Sequence, residues 1–331
     1  MEKVKKAIDE ARNIKPNSLR AYIISINKVH NAIFDKDIVD KKNPLDFLKD
    51  EKKVLDTIKD LKINTQKNYL SAVIVGLDAM NDKRSNTVQG HKGIYDTELK
   101  EYREYLDDLN KEVIKDLEKN EKTENQEKNW VSLQALKKVM NSYKRDLIDR
   151  DVFKKETITK KQRDILQMWV VANLYLHDDN PPIRLDYGGM LVKKNSDYEK
   201  LSKDELESNN YLVVKSRTNK FFHFGEYKSK KAHGIKKIPV GKILNSVLNI
   251  WLKFNDSGDL LVDSRDKPMN SNQLSKYISK TFSPTGKKIT ANQLRHIYIS
   301  EKHPVEVNDS KKQTADKMLH SVSTQEKYSK K

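Results

Sequence analysis

The sequence predicts two domains: an all-α first domain, and a mainly helical α+β second domain with a small antiparallel sheet. Apolar residues recur at helical spacing between residues 19 and 117. They are followed by residues 118–129, a segment with no apolar side chain, and β-favouring runs appear beyond it. We therefore assign residues 1–124 and 125–331 to the two domains, with 118–129 as the linker. The alternative for this segment is the solvated end of a helix.

Four apolar patterns predict the helices of the first domain. Pro16-Asn17-Ser18 precedes the first pattern, and Thr65 is placed to cap the third. The predicted helices cover residues 19–33, 45–58, 65–77 and 99–117. No residue pattern in this domain indicates catalysis.

The second domain combines both periodicities. Its predicted helices cover residues 130–140, 159–177, 243–254, 272–282, 292–301 and 311–319. Three β-favouring runs, residues 211–214, 220–224 and 236–240, are separated by polar or glycine-containing segments. This order predicts a short antiparallel sheet early in the domain and a helical end.

Charge indicates a polyanionic partner. The chain of 331 residues has 65 Lys and Arg against 48 Asp and Glu, a net charge of +17. Residues 1–124 hold 25 basic and 24 acidic side chains, so nearly all of the excess lies in residues 125–331. Only 11 of the basic residues are arginine, whose planar fork binds phosphate through two hydrogen bonds.

Several classes of site and location are disfavoured. The chain has no cysteine, which excludes disulfides, thiolate zinc sites and cysteine nucleophiles and permits an intracellular location. It has no Walker-type phosphate loop, no His-Glu-x-x-His zinc pair and no Gly-x-Ser-x-Gly turn. It shows neither an apolar signal core nor an uncharged stretch of the roughly 18 residues that span a bilayer. We therefore expect no membrane partner, no nucleotide cofactor and no metal.

A tyrosine near the end of the chain follows an ordered series of basic residues. Tyr328 lies eight positions after His320. A tyrosine hydroxyl has a pKa near 10 and is a weak nucleophile, so a catalytic tyrosine needs cationic and hydrogen-bonding neighbours. The candidates are, in order, Arg184, Lys228 with Lys230 and Lys231, Arg295-His296 and His320.

This order resembles the catalytic domain of the tyrosine recombinase (phage integrase) family, which is related to type IB topoisomerases. The matching phrases are Pro-Pro-Ile-Arg-Leu-Asp-Tyr at 181–187, Tyr-Lys-Ser at 227–229, and Met-Leu-His-Ser at 318–321 leading to Tyr328. They look closest to recombinases of large eukaryotic DNA viruses, virophages and related mobile elements. The resemblance covers 130–331 by motif and 1–124 by helical organisation alone, and it implies a core-binding (SAM-like) first domain.

The resemblance implies a role for each residue. Tyr328 would be the nucleophile, Arg184 and Arg295 would stabilise the charge on the phosphate, and Lys228 would protonate the leaving 5′ oxygen. Lys230 or Lys231 would serve instead if the turn register differs, and both are candidates for substrate binding. His320 would donate a hydrogen bond to the phosphate, and His296 would support the site or pack in the core. The family needs neither metal nor ATP.

Three positions depart from the family pattern. Asn292 stands where many members have His or Lys, and it can hydrogen-bond phosphate but cannot act as an acid or base. The alternative role for Asn292 is a helix N-cap. Leu319 stands where a glycine is common, and Asp186 follows Arg184 by two residues instead of three.

We expect a site-specific DNA recombinase or integrase that cuts and rejoins double-stranded DNA through a 3′-phosphotyrosyl intermediate on Tyr328. The family suggests a homotetramer on paired DNA sites, although only three residues follow Tyr328. If the chain is viral, we expect it in the host nucleus or at a cytoplasmic viral replication site. The alternatives are a type IB topoisomerase-like enzyme and, because of Asn292, a catalytically weak DNA-binding relative.

Overall fold

The computed structural model describes residues 1–12, 14–36, 38, 43–81, 93–118, 121–177, 180–302, 308–319, 324 and 328. The chain divides into two compact units, Met1–Lys119 and Asn120–Lys331. No helix among these residues is long and apolar enough to cross a membrane.

The described part of the first unit is helical. Its helices are α1 (Glu2–Arg12), α2 (Pro16–Phe34), a 3₁₀ turn (Asp46–Lys49), α3 (Glu51–Ile58), α4 (Ile63–Met80) and α5 (Asp96–Glu118). The single helix predicted over residues 45–58 is divided, because the Asp50 carboxylate accepts the Lys53 N–H and begins α3 there. The sequence patterns did not indicate α1.

Helix α4 is the centre of the first unit's core and packs against α1, α2 and α5. Leu70, Val73 and Leu77 are fully buried on it. Gly76 lies where α2 crosses, and a Cβ there would come within 2.8 Å of the Ile26 Cδ1 atom. The glycine therefore permits the close approach of the two helices.

The second unit is mainly helical and contains one four-stranded sheet. Its helices are α6 (Glu124–Lys128), α7 (Leu133–Asp149), α8 (Lys160–Leu176), α9 (Asn195–Tyr198), α10 (Lys203–Ser208), α11 (Lys230–His233), α12 (Lys242–Lys253), α13 (Ser271–Thr281), α14 (Ala291–Lys302) and α15 (Asn308–Lys317). Its strands are β1 (Leu191–Lys194), β2 (Asn210–Val214), β3 (Lys220–Phe224) and β4 (Lys236–Pro239). Two 3₁₀ turns, Val152–Lys154 and Ser283–Thr285, complete the described elements. Helix α6 lies within the predicted linker and begins with a capping box of Thr123 and Gln126.

The sheet has the order β1-β2-β3-β4 and is mixed, so the prediction of a purely antiparallel sheet is wrong. β2 and β3 pair antiparallel, with Tyr211 opposite His223, and β3 pairs antiparallel with β4. β1, which the sequence patterns did not indicate, pairs parallel with β2. The pairing is parallel because α9 and α10 lie between the two strands and return the chain to the end of the sheet where β1 begins, as a parallel crossover requires.

Helix α8 passes through the core of the second unit. Every residue from Leu166 to Leu176 is buried. Thr159 caps the helix, its hydroxyl accepting the Gln162 N–H. One face of the sheet packs against this core through Leu212, Phe222 and Phe224. In the segment that follows α8, Ile183, Tyr187 and Met190 are buried in this same core.

Candidate active site

Helix α14 carries two of the predicted site residues. The Thr290 hydroxyl accepts the Gln293 N–H at 3.1 Å and caps the helix, so the alternative role of Asn292 as N-cap is wrong. Asn292 is exposed in the first turn. At the other end, the Glu301 carboxylate accepts the Leu133 N–H of α7 at 2.7 Å. The start of α14 is thus capped, and its last turn is bonded to α7.

Arg295 is buried on α14, with 2% of its surface exposed. Its Nη1 donates to the Tyr328 hydroxyl oxygen. Its Nε and Nη2 are buried and have no hydrogen-bond partner among the described residues. Burial lowers the pKa of Arg295 to about 10, although Tyr328 and Asp186 nearby favour the charged form. A buried cation with unused donors has the chemistry of an anion site.

Besides the hydrogen bond to its hydroxyl, Tyr328 makes four further described contacts with the same helix. The guanidinium carbon of Arg295 lies 4.1 Å from the centre of the Tyr328 ring. The His296 ring meets it edge-on with centroids 4.7 Å apart. His296 Nδ1 lies 3.0 Å from the Tyr328 carbonyl oxygen, and the Ser300 hydroxyl donates to the same oxygen at 3.4 Å. Because a carbonyl only accepts, Nδ1 carries the proton in this contact.

Arg184 lies in the irregular segment after α8. Its carbonyl accepts the Tyr175 hydroxyl at 2.7 Å, which ties its backbone to the last turn of α8. Its Nη1 donates to the Leu319 carbonyl at 3.4 Å. Its charge acts on both Asp186 and Arg295. Two of the scarce arginines therefore share one region of the second unit.

Asp186 adds an acidic group to this region. Burial raises the pKa of Asp186 to about 6, although Arg184 and Arg295 both favour the carboxylate. Its backbone carbonyl accepts from the Asn210 side chain at 3.0 Å, which ties the segment to β2. We call Arg184, Asp186, Arg295, His296 and Tyr328 the arginine–tyrosine cluster.

Leu319 anchors the chain that leads to Tyr328. Its φ of 57° is left-handed, a conformation that favours glycine, and its side chain is 1% exposed. Its carbonyl accepts from the Ser229 hydroxyl as well as from Arg184. In the same region, Lys236 of β4 forms an ion pair with Asp316 of α15. The left-handed turn ends α15 and aims a carbonyl at the cluster.

The three candidate lysines lie in the connection between β3 and β4, in and just before α11. Lys228 and Lys231 are exposed. Lys230 is engaged elsewhere, since its Nζ donates to the Glu207 carbonyl at 2.6 Å. Ser229, next to Lys228, reaches the Leu319 carbonyl that Arg184 also contacts. Lys228 is therefore adjacent in sequence to a residue at the edge of the cluster.

The structure brings Arg184, Arg295, His296 and Tyr328 together. It leaves Asn292, Lys228 and Lys231 exposed and binds Lys230 to another segment. His320 lies outside the described residues. Sequence reasoning missed the anchoring contacts of Ser229 and Lys236, which join residues 90 and 80 positions apart. No sequence pattern signals such pairs.

Comparison with known proteins gives limited information. No protein-family model matches the chain, and no curated protein matches it. Among solved structures, the chain is similar to the crystal structure of XerA recombinase, with a TM-score of 0.35 and 12% sequence identity over 99% of this chain and 93% of that one. Because both values are low, we base the functional proposal on the arginine–tyrosine cluster itself.

Proposed function

We propose that the chain is a tyrosine-type DNA strand transferase of the recombinase or integrase kind, with Tyr328 as its nucleophile. The observation that carries the proposal is the buried Arg295: it contacts the Tyr328 hydroxyl and keeps two unused buried donors. Such a group binds the anion that the tyrosine attacks and stabilises the charge that grows during attack. The basic excess of residues 125–331 supports DNA as the source of that anion.

The reaction exchanges one phosphodiester for another. Tyr328 gives its proton to solvent water as its oxygen attacks the phosphorus in line, a bond from that oxygen to phosphorus forms, and the bond to the 5′ oxygen breaks. Arg184 and Arg295 neutralise the non-bridging oxygens through their planar forks. Lys228 supplies the proton that the leaving 5′ oxygen takes up. A 5′ hydroxyl then attacks the phosphotyrosine and restores both the DNA bond and the free tyrosine.

The positive charge next to the Tyr328 hydroxyl supports the assignment of Tyr328 as the nucleophile. The Arg295 guanidinium donates to the hydroxyl oxygen and also lies over the ring of Tyr328. A cation in this position stabilises the negative charge that develops on the oxygen as its proton leaves. Asn292 cannot accept that proton as a general base, so we expect slow chemistry compared with a site that has His or Lys there.

A nicked suicide substrate tests the proposal. Its cleavage releases a short 5′-hydroxyl fragment that diffuses away, so the protein stays joined to the 3′ phosphate. We expect a covalent protein–DNA adduct with the wild type and none with Tyr328→Phe. The matched control is Tyr22→Phe in the first unit, which removes a tyrosine hydroxyl remote in sequence and should leave the yield unchanged. An adduct that survives Tyr328→Phe would refute the assigned nucleophile.

A second candidate, a type IB topoisomerase-like enzyme, is favoured by one observation. Tyr328 meets Arg295 of its own chain, so one chain holds the nucleophile and its arginine. An enzyme that relaxes supercoils as a monomer needs such a site. Relaxation of plasmid DNA without joining of two DNA partners would favour this candidate, whereas joined products would favour the recombinase. Tetramer assembly and a viral or mobile-element origin stay predictions from the motifs.

A further inference from the structure

A cavity of about 470 Å³ lies in the second unit, away from the arginine–tyrosine cluster. It is lined at the start of α8, by the end of α12, by residues 262–269 and along α13. Lys160 at the start of α8 and Tyr175 near its end are separated by roughly 22 Å of helix. Arg184 is tied to Tyr175, at the far end of that helix. The cavity is therefore a separate site.

The wall of the cavity is apolar and aromatic. Trp251, Val262, Met269 and Tyr277 contribute to it. Residues 262–268 form a tight turn in which Asp266 adopts a left-handed φ of 59° and pairs with Arg163. This turn holds the apolar wall in place. A volume of this size accommodates one bulky apolar group, in the range typical of ligand pockets.

The carboxylates in the cavity lining have partners among the described residues, whereas three of its lysines do not. Each carboxylate in the lining is already engaged: Asp164 accepts from Tyr277 and Lys280, Asp266 from Arg163, and Asp263 from two backbone N–H groups. Lys160, Lys161 and Lys276 are exposed in the lining and have no ion-pair partner among the described residues. The Arg163 Nε is buried without a hydrogen-bond partner there. The cavity therefore offers free cations around an apolar wall.

We propose that this lysine-rimmed cavity binds an acidic peptide segment of a partner protein, with one bulky apolar side chain in the cavity and carboxylates against the lysines. Two features favour a peptide. The free lysines lie on two different helices, α8 and α13, so one small monoanion cannot meet all of them. The apolar wall suits an anchor residue, the group that usually dominates peptide and protein binding. Duplex DNA would bring phosphates but no group that fills the cavity.

Isothermal titration calorimetry on the full chain tests this proposal. The probe is a synthetic heptapeptide with a central Trp flanked on each side by three Asp or Glu residues. We expect binding that weakens at least about tenfold when the central Trp is replaced by Ala. The double variant Lys160→Glu/Lys276→Glu should weaken binding of the Trp peptide by at least about tenfold. Lys200→Glu, an exposed lysine outside the cavity lining, should change it by less than about twofold.

Several results would overturn the proposal. Equal affinity for the Trp and Ala peptides would reduce the interaction to surface charge. Unchanged affinity in the double variant would place the peptide elsewhere. Binding of indole-3-acetate as tight as the peptide would indicate a small aromatic acid. An equal loss of affinity for a 20-base-pair duplex in the double variant would assign the surface to DNA. Peptide binding should persist in Tyr328→Phe, so the result is independent of the strand-transfer proposal.

Discussion

Replacing Arg295 with methionine should stabilise the second unit and abolish strand transfer. The guanidinium is 2% exposed and leaves two buried donors without partners among the described residues. Burial lowers its pKa well below the ordinary arginine value, to about 10, which corresponds to a penalty of about 3 kcal/mol on the charged form in the fold. A buried charge whose hydrogen bonds are incomplete lowers the stability of the fold, and an apolar side chain of similar volume removes that cost. We expect Arg295→Met to gain about 1–3 kcal/mol.

Urea denaturation followed by tryptophan fluorescence measures this gain. All three tryptophans, Trp130, Trp169 and Trp251, lie in the second unit, so the signal reports on that unit alone. On the suicide substrate, the same variant should lose at least about a hundredfold in the rate of adduct formation, as expected when a group that stabilises developing charge is removed.

The matched control is Arg163→Met in the same unit. Arg163 bonds to Asp266 and Asn255, so its removal breaks existing contacts and should cost about 1 kcal/mol. A loss of more than about 1 kcal/mol in Arg295→Met would refute the reasoning, because it would mean that the guanidinium stabilises the protein that carries it.

Three further outcomes are expected. The fold raises the pKa of Asp186 from 3.8 to about 6, so the folded protein binds the Asp186 proton more tightly than the unfolded chain does. The contribution of Asp186 to the free energy of unfolding therefore grows as pH falls through 6. The unfolding free energy of wild type minus that of Asp186→Asn should therefore increase by about 2–3 kcal/mol from pH 7.5 to pH 4. Parallel pH profiles of the two proteins would contradict this. Leu319→Gly should be about 1 kcal/mol more stable than Leu319→Ala, the reverse of the usual order, because only glycine adopts the left-handed φ without strain. A higher denaturation midpoint for Leu319→Ala would show that the backbone at residue 319 is not strained. Mixed Tyr328→Phe and Arg295→Met chains should form no adduct, since Tyr328 contacts Arg295 of its own chain in the structure. Adduct in the mixture would show action between chains.

The sequence predicted most of the helices because their apolar periodicity is local. The predicted helix over residues 159–177 corresponds to α8, which the Thr159 side chain caps. Strand β1 was missed because it is only four residues long and ends in two lysines. Its position in the sheet depends on a parallel pairing across α9 and α10, which no local pattern encodes.

The candidate site was predictable only in part. The order of Arg184, Arg295 and Tyr328 suggested that they meet, and the structure places them in one region. The left-handed backbone at Leu319 was not predicted, although the glycine common at this position in the family is typical of that conformation, which leucine itself disfavours. The same holds for Ser229, whose hydroxyl reaches Leu319 across 90 positions of sequence.

The described partners of Tyr328 have a further consequence. Arg295, His296 and Ser300 all belong to α14, which is capped by Thr290 at its start and bonded to α7 through Glu301 near its end. The phenol is therefore bonded to the helix that carries the guanidinium, and it also packs against a cluster that includes Met318. If α14 shifts when a polyanion binds, the distance between the attacking Tyr328 oxygen and the Arg295 guanidinium stays the same. Alignment with the substrate then reduces to placing a single helix against it.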